Sequence, residues 1–417
     1  MEALEQMRRT LTIVLAGGQG ERLYPLTKDR SKPSVPFGGN YRIIDFTLSN
    51  CFNSGLRRLY VLTQYKSYSL DKHLQRGWNI FNYEADEFLY RIPPQHRVGT
   101  KWYEGTADAV YHNVYLLEKD KPEHVLLLSG DHVYKMDYSD VMEFHLNKDG
   151  AFTLCAAVVP KDGASEFGIL EVDENWKVVG FEEKPPDPKT IPGDPDHCLV
   201  NMGIYLVDTG CLVKELCSDA RRADSHHDFG KDIIPHLVSQ GEVYAYPFRD
   251  EEDHTPLYWR DIGTLDSFYA ATMDLLSRTP PLDLYDREWP FRAWQPPVPP
   301  AKSVHSFNED EPQPGILENS IIGGGSVISG AKVEQSILHR GVKVNSYAKI
   351  TNSILMDGVQ VGRYAELHGV ICDKNVVIPE GVVIGGNPER DRQHFKVTKD
   401  GIVVIPKEMD LSGFQAG

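Results

Sequence analysis

The sequence predicts an α/β domain built on a mostly parallel sheet, followed by a parallel β-helix. Three observations predict it. Short apolar strands alternate with helical patterns through the first two-thirds of the 417 residues. A proline-dense stretch then breaks the composition. Beyond it, aliphatic residues fall on a six-residue beat.

The predicted strands are Leu11–Ala16, Leu59–Thr63, Val125–Ser129, Phe152–Val159 and Met202–Val207. Each is a short apolar run bounded by polar or turn residues. Ile43–Asn50, Asp108–Leu117 and Tyr138–Lys148 carry helical patterns between them. Alternation of this kind makes parallel strands with crossover helices. Such sheets place ligands beyond the carboxyl ends of the strands. We assign this unit to residues 10–279, a linker to 280–314 and the β-helix to 315–417. The linker carries Pro296-Pro297 and Pro299-Pro300, and proline removes backbone donors and stiffens the chain. In the last unit, Ile316, Ile322 and Ile328 form one six-residue set. Leu338, Val344, Ile350 and Met356 form a second, and Ala365, Ile371, Val377 and Val383 a third. A hexapeptide repeat puts these aliphatic positions inside stacked coils, with Gly330, Gly341, Gly358 and Gly381 among the turn residues.

Composition narrows the function. The formal net charge of -16 disfavours a general nucleic-acid binder. No stretch approaches the roughly 18 apolar residues of a membrane span, and Met1 to Thr10 lacks an apolar signal core. A soluble, cytoplasmic protein is expected. The six cysteines form no Cys-x-x-Cys pair, so reduced thiols are expected rather than structural zinc.

The first predicted strand runs into Gly17-Gly18-Gln19-Gly20-Glu21-Arg22, and Arg30-Ser31-Lys32-Pro33 follows shortly after. Glycines let backbone amides approach a ligand closely, and nearby Arg and Lys point to an anionic one. The loop is neither a P-loop nor a Gly-x-Gly-x-x-Gly fingerprint, since Leu23 stands where the third glycine is required. Asp131 directly follows another predicted strand. It either caps a helix or binds a cation. Asp261 is a second such carboxylate, and two carboxylates with substrate phosphates can hold Mg²⁺. Sequence spacing does not show that they meet. Lys184 lies in a charged run, Glu182-Glu183-Lys184 before Pro185, that by itself reads as solvated surface before a turn. The adjacent His226 and His227 do not face one way, which argues against a metal pair.

Longer strings carry a resemblance. Leu15-Ala16-Gly17-Gly18 through Pro33 is similar to the signature of sugar-nucleotide pyrophosphorylases. Phe37-Gly38-Gly39-Asn40-Tyr41-Arg42, Thr63-Gln64-Tyr65, Trp102-Tyr103-Glu104-Gly105-Thr106-Ala107-Asp108, Gly130-Asp131-His132, Phe167-Gly168, Glu183-Lys184-Pro185, Asp228-Phe229-Gly230 and Tyr258-Trp259-Arg260-Asp261 resemble the bacterial ADP-glucose pyrophosphorylases in particular. The resemblance spans nearly the whole chain. It implies a Rossmann-like nucleotidyltransferase domain and a left-handed β-helix. The implied reaction is ATP plus glucose 1-phosphate giving ADP-glucose and diphosphate, with Mg²⁺ as cofactor, for glycogen-type glucan synthesis. Arg22 and Lys32 would hold the triphosphate, and Asp131 and Asp261 the metal. Leu15, Ala16, Gly17, Gly18, Gln95, Tyr103, Gly105 and Thr106 would meet the nucleotide. Gly168, Glu183, Lys184, Asp228, Phe229 and Trp259 would meet the sugar phosphate. Asp29, Arg30, Arg42 and Gln64 would serve regulation by sugar-phosphate or nucleotide effectors, and a homotetramer is implied.

Four positions depart from the family pattern. Asp29 stands where many bacterial members have a lysine, and Pro36 where some have histidine. His96 and Asn201 replace the usual glutamine and serine. These departures keep two alternatives in view: another nucleotide or sugar, such as UTP or glucosamine 1-phosphate, and a non-catalytic regulatory paralogue. A hexapeptide β-helix also occurs in acyltransferases, for which His339 and His368 would be the candidate bases.

Overall fold

The computed structural model describes residues 2–95, 102–250, 252–306 and 312–414. Nine strands form the main sheet: β1 (Leu11–Leu15), β2 (Arg58–Leu62), β3 (Phe88–Ile92), β4 (His124–Ser129), β5 (Phe152–Pro160), β6 (Gly168–Val172), β7 (Val178–Glu183), β8 (His197–Asp208) and β9 (Val243–Pro247). Their path runs β7-β6-β8-β4-β1-β2-β3, and β5 joins β8 to β9. The half that holds β4, β1, β2 and β3 is parallel throughout. β8 enters antiparallel to β4 and β5, so the sheet is mixed.

Period-two patterning fills both faces. Leu11, Ile13, Val125 and Leu127 pack in one core layer, while Val14, Leu126 and Leu128 pack in the other. Side chains alternate across a strand, so a fully apolar run is what a sheet covered on both sides requires. The predicted strands all appear. The Met202–Val207 strand is the second half of the longer β8, which is interrupted by a register shift between Asn201 and Tyr205. β3, β6, β7 and β9 were not predicted. β3 is an edge strand with Tyr90 exposed, and β6 and β7 form a glycine- and glutamate-bearing antiparallel pair. The single helix expected over Asp108–Leu117 is two, Thr106–Tyr111 and Val114–Asp120. Asn113 lies between them and donates back to the Ala109 carbonyl (2.8 Å), a local bond that competes with helix continuation.

The C-terminal unit is a left-handed parallel β-helix made of three ladders of short parallel strands. Its coil is 17 residues long: Lys332 pairs with Lys349, which pairs with Glu366. The buried positions facing the bore follow spacings of six, six and five, as in Val344, Ile350, Leu355, Val361, Leu367 and Cys372. A strict six-residue step therefore drifts by one residue per coil, which corrects part of the assignment above. Val377 is exposed and Val383 half-buried, whereas the neighbouring Ile378 and Ile384 point inward. Ile316, on the terminal coil, is also exposed.

Met356 and Ile371 are buried on the outside of the coil. With Ile337, Ile354 and Val404 they pack against Phe37, Phe46, Leu265 and Phe268 of the first unit. The two units thus share a hydrophobic core. The proline-rich stretch contributes to it: Leu282 and Phe291 are buried there, and the Trp289 indole donates to Asn50 (3.0 Å). Lys302–Val304 already pairs with Val327–Ser329 of the solenoid. The linker is therefore docked against the first unit, and its Lys302–Val304 strand lies in the first coil.

Candidate active site

β1 and β4 lie side by side, and their carboxyl ends deliver the glycine loop and Asp131 to one cleft. The Gly130 amide donates to the Leu15 carbonyl (3.0 Å). A Cβ on Gly130 would sit 3.1 Å from a Val14 methyl and 3.2 Å from the Leu15 carbonyl oxygen, tighter than ordinary packing, so glycine suits this close approach to β1. Just beyond, His132–Tyr134 pairs antiparallel with Trp259–Asp261, and Asp261 lies opposite His132. This two-stranded ribbon brings Asp131 and Asp261 together across 130 residues of sequence.

Lys32 completes the group. Its Nζ lies 2.6 Å from Asp131 Oδ2 and 2.9 Å from Asp261 Oδ1. The residue is presented by a tight turn, Lys32–Ser34, with Pro33 at its start. Gly20, at φ +64, packs against it, and a Cβ there would be 3.1 Å from Lys32 Cβ. The Ser129 hydroxyl donates to Asp131. His132 Nε2 stands 3.5 Å from Asp131 Oδ1 and 3.7 Å from Asp261 Oδ1. Burial works against the Asp131 carboxylate, but Lys32 and His132 outweigh it and hold its pKa well below the usual range. Burial likewise opposes the Lys32 ammonium, and the two carboxylates still raise its pKa. The pair therefore stays charged at neutral pH.

The open part of the cleft, about 490 Å³, is lined by Leu15, Ala16, Gly18, Gly20, Arg22, Lys32, Asp131 and Gly263. No side chain lies within 4 Å of a Cβ built on Gly18, so its backbone faces free space. Arg22 reaches the cleft from the short turn Glu21–Leu23 and pairs with Glu166. A Cβ on Gly263 would be 3.3 Å from the Arg22 guanidinium. The cleft thus places two cations beside two carboxylates. Asp131, Asp261 and His132 each offer a ligand atom within 4.8 Å of the others, and an ammonium already sits between the carboxylates. Hard oxygen donors in this number suit Mg²⁺. Sequence reasoning missed His132 and Glu166 as members of this group. His132 follows Asp131 directly, which was the one local signal available; its place opposite Asp261 comes from the ribbon's register.

The sugar-phosphate candidates gather at the neighbouring edge. Glu183 ends β7, and a Cβ on either Gly168 or Gly230 would come within 2.8 Å of its carboxylate. Burial, reinforced by Asp228, raises the Glu183 pKa. Lys184 follows at φ +50 with its side chain about half exposed, 3.6 Å from Glu183. A non-glycine residue held in the left-handed region is a strained position of the kind found at ligand sites. Asp228 accepts from Thr106 Oγ1 (2.9 Å) and from the amides of Gly230 and Lys231. Trp259 packs against Phe167 and His132. The Phe229 ring is buried against Tyr205, and its amide donates to Thr106 Oγ1 (3.0 Å) at this edge.

The remaining assignments separate. Tyr103 accepts from Asn113 (3.1 Å), while Gln95 is exposed and donates to the Pro93 carbonyl within its own turn (3.1 Å). His96 lies outside the described residues. Asn201 is occupied in β8: it accepts from the Gly203 amide and donates to Tyr205 Oη, both at 2.9 Å, which pins the register shift. Gln64 stands beside Gly17, whose Cβ would meet it at 3.0 Å, apart from the other three regulatory candidates. Asp29, Arg30 and Arg42 line a separate pocket of about 300 Å³ with Lys72, Arg76, Lys374 and Lys407. Lys374 and Lys407 come from the β-helix, so this pocket lies between the two units. Arg30 is buried, and its Nη2 donates to both oxygens of Asp373 at 2.9 Å. Burial and the neighbouring Arg30 and Arg340 pull the Arg42 pKa down to about 10, against the opposing pull of Asp45. His339 is fully buried, and a base for acyl transfer would need access to its substrate.

Comparison with known proteins accounts for both units. The nucleotidyl transferase family profile matches residues 11–278, and a GlmU-like C-terminal hexapeptide profile matches residues 299–405. Glucose-1-phosphate adenylyltransferase 2 of Vibrio cholerae is 49% identical over 97% of this chain and 100% of its own. The protein of the same name from Vibrio vulnificus is 52% identical over 96% of this chain and 99% of its own. Glucose-1-phosphate adenylyltransferase of Rhodopirellula baltica is 48% identical over 96% of this chain and 90% of its own. With a nucleotidyl transferase domain, a hexapeptide β-helix and relatives this similar along nearly its whole length, the chain belongs to the glucose-1-phosphate adenylyltransferase family.

Proposed function

We propose that the protein joins ATP and α-D-glucose 1-phosphate to give ADP-glucose and diphosphate, supplying a glycogen-type glucan synthase. The observation that carries this reading is the meeting of Lys32, Asp131 and Asp261 beside the glycine loop. In-line attack of a sugar phosphate on an α-phosphorus needs alignment and charge neutralisation more than proton transfer. The amides from Gly17 to Gly20 and the cations Arg22 and Lys32 fit the triphosphate and the departing diphosphate. Asp131 and Asp261 would hold Mg²⁺, which when bound neutralises phosphate charge and polarises the reacting phosphoryl group. Glu183, Lys184 and Asp228 fit the sugar phosphate, with Lys184 on its phosphate. Gly105, Thr106, Tyr103 and Gln95 are assigned to the nucleotide on the family resemblance alone.

The cationic pocket between the units supports allosteric control by an anionic effector, a sugar phosphate or a nucleotide. Asp29 adds negative charge to that wall, which favours a less highly charged effector than an all-cationic pocket would select. A homotetramer belongs to the same reading: the terminal coil strand Ile316–Glu318 leaves Ile316 and Leu317 exposed and ends its ladder among the described residues, and such edges are normally covered. Six free cysteines agree with a reducing, cytoplasmic setting. Among the described residues, no helix is long and apolar enough to cross a membrane. Residues 10–279 would act as the catalytic unit and the β-helix as its regulatory and assembly partner.

The test is diphosphate release over a grid of nucleotides and sugar 1-phosphates, with Mg²⁺ and candidate effectors. ATP with glucose 1-phosphate should be the fastest pair. A faster rate with UTP or with glucosamine 1-phosphate would reassign the substrates, and no release with any pair would overturn the reading.

A further inference from the structure

One part-buried cluster outside the cleft has no role in the scheme above. Helix Thr209–Asp219 ends on Asp219, which is buried. Its two carboxylate oxygens accept from Ser225 Oγ (2.6 Å) and bond to His227 Nδ1 (2.7 Å). Ser225 Oγ in turn accepts from the His227 amide (2.9 Å). These bonds hold residue 227 at φ +54, a left-handed conformation that costs a non-glycine residue energy unless its surroundings enforce it.

That conformation aims the His227 carbonyl at the start of helix Thr106–Tyr111. It accepts from the amides of Ala107 (2.9 Å) and Asp108 (3.2 Å), two of the donors that a helix N-terminus leaves unpaired. The approach is so close that a Cβ on Gly105 would lie 2.2 Å from this carbonyl oxygen. The next residue, Asp228, is tied to Thr106 and to the Gly230 turn that cradles Glu183. Residue 227 is therefore the knot between the turn at Gly105–Thr106 and the loop that carries Asp228.

We propose that His227, clamped by Asp219, is a positioning residue that locks the Asp228 loop to the Gly105–Thr106 turn and so sets affinity for the sugar phosphate. The inference rests on the assignment of this edge to that substrate. The clamp is protonation-dependent. The groups facing the imidazole are Asp219, Asp108 and Glu104, all acidic, and the hydrogen bond to Asp219 comes first among the causes that raise its pKa. A raised histidine pKa keeps the ion pair below that value and loses it as pH rises through it. The lock should loosen on the alkaline side.

Two measurements test it on the full chain. In steady-state assays, His227→Ala should raise the KM for glucose 1-phosphate about tenfold while kcat changes less, the pattern expected when binding is lost rather than transition-state contacts. Wild type should show an alkaline rise in that KM, and His227→Gln, which cannot titrate, should not. Hydrogen exchange of the Ala107 and Asp108 amides should accelerate at alkaline pH beyond its intrinsic increase in wild type, but not in His227→Gln. The exchange experiment needs no substrate, so it judges the lock even if the sugar assignment fails. Unchanged KM in His227→Ala with only a lower Tm, or exchange that follows the intrinsic pH dependence in both proteins, would overturn the proposal.

Discussion

Arg30 and Lys32 are two residues apart and their environments differ sharply. Arg30 is buried between the two units against one carboxylate, Asp373 of the β-helix. Lys32 lies in the cleft between two carboxylates of the catalytic unit. Arginine's planar fork suits a fixed ion pair at an interface, while the compact ammonium of lysine can exchange partners. The comparison teaches that one short segment serves as an anchor at one end and as machinery at the other. Removing the anchor should cost stability, and removing machinery should cost rate.

The largest expected effect is on the machinery. Asp131→Ala should lower kcat by roughly a thousandfold or more, as expected when support for transition-state charge is removed, with Tm little changed. Steady-state diphosphate release and thermal unfolding check both halves, and an effect confined to KM would remove Asp131 from the transition state. At the anchor, Arg30→Ala strands a buried Asp373 and should destabilise the protein by about 3–5 kcal/mol. Calorimetry reads this, and a loss under about 1 kcal/mol would place Arg30 among weak surface pairs.

The third prediction concerns the β-helix side of the same interface. Burial drives His339 down to about 4, against the opposing charge of Asp357. The unfolded chain takes up a proton there near pH 6.5 and the folded chain does not. Stability therefore falls as pH drops from about 6.5 toward 4, by up to about 3 kcal/mol from this group. His339→Gln should flatten that part of the pH–stability curve, and an unchanged slope would assign the acid sensitivity to other groups. The smallest effect is at the sugar edge. Lys184→Ala should raise the KM for glucose 1-phosphate about tenfold to a hundredfold with a smaller change in kcat, because its phosphate is held before and during reaction.

The two regions also differ in how far the sequence revealed them. The glycine loop, Asp131 and the apolar runs of β1, β4 and β5 were legible because each signal is local: a strand reads from its own residues, and a glycine turn from its neighbours. The hexapeptide beat was legible for the same reason, but its phase was not. The 17-residue coil shifts Ile378 and Ile384 into the positions that strict six-residue counting gives to Val377 and Val383. What sequence could not show is pairing at long range. The approach of Asp261 to Asp131 depends on the register of the Trp259–Asp261 ribbon. The exclusion of Gln64 from the cationic pocket depends on how β2 ends beside Gly17. The inward turn of Phe229 depends on Tyr205, held by a β8 irregularity that Asn201 secures. The packing of the proline-rich linker was not legible, because proline content reports chain stiffness and not what the chain packs against.

The central claim is that Asp131 and Asp261 form one charge-bearing unit with Lys32, and Asp261→Asn tests it most directly. The substitution keeps the side chain's size and a hydrogen-bond acceptor for Lys32, and it removes one charge. Diphosphate release from ATP and glucose 1-phosphate, titrated with Mg²⁺ for wild type and variant, should show kcat lowered by about a hundredfold or more and a higher Mg²⁺ requirement in the variant, with Tm unchanged. A variant within threefold of wild type at the same Mg²⁺ concentration would contradict the account.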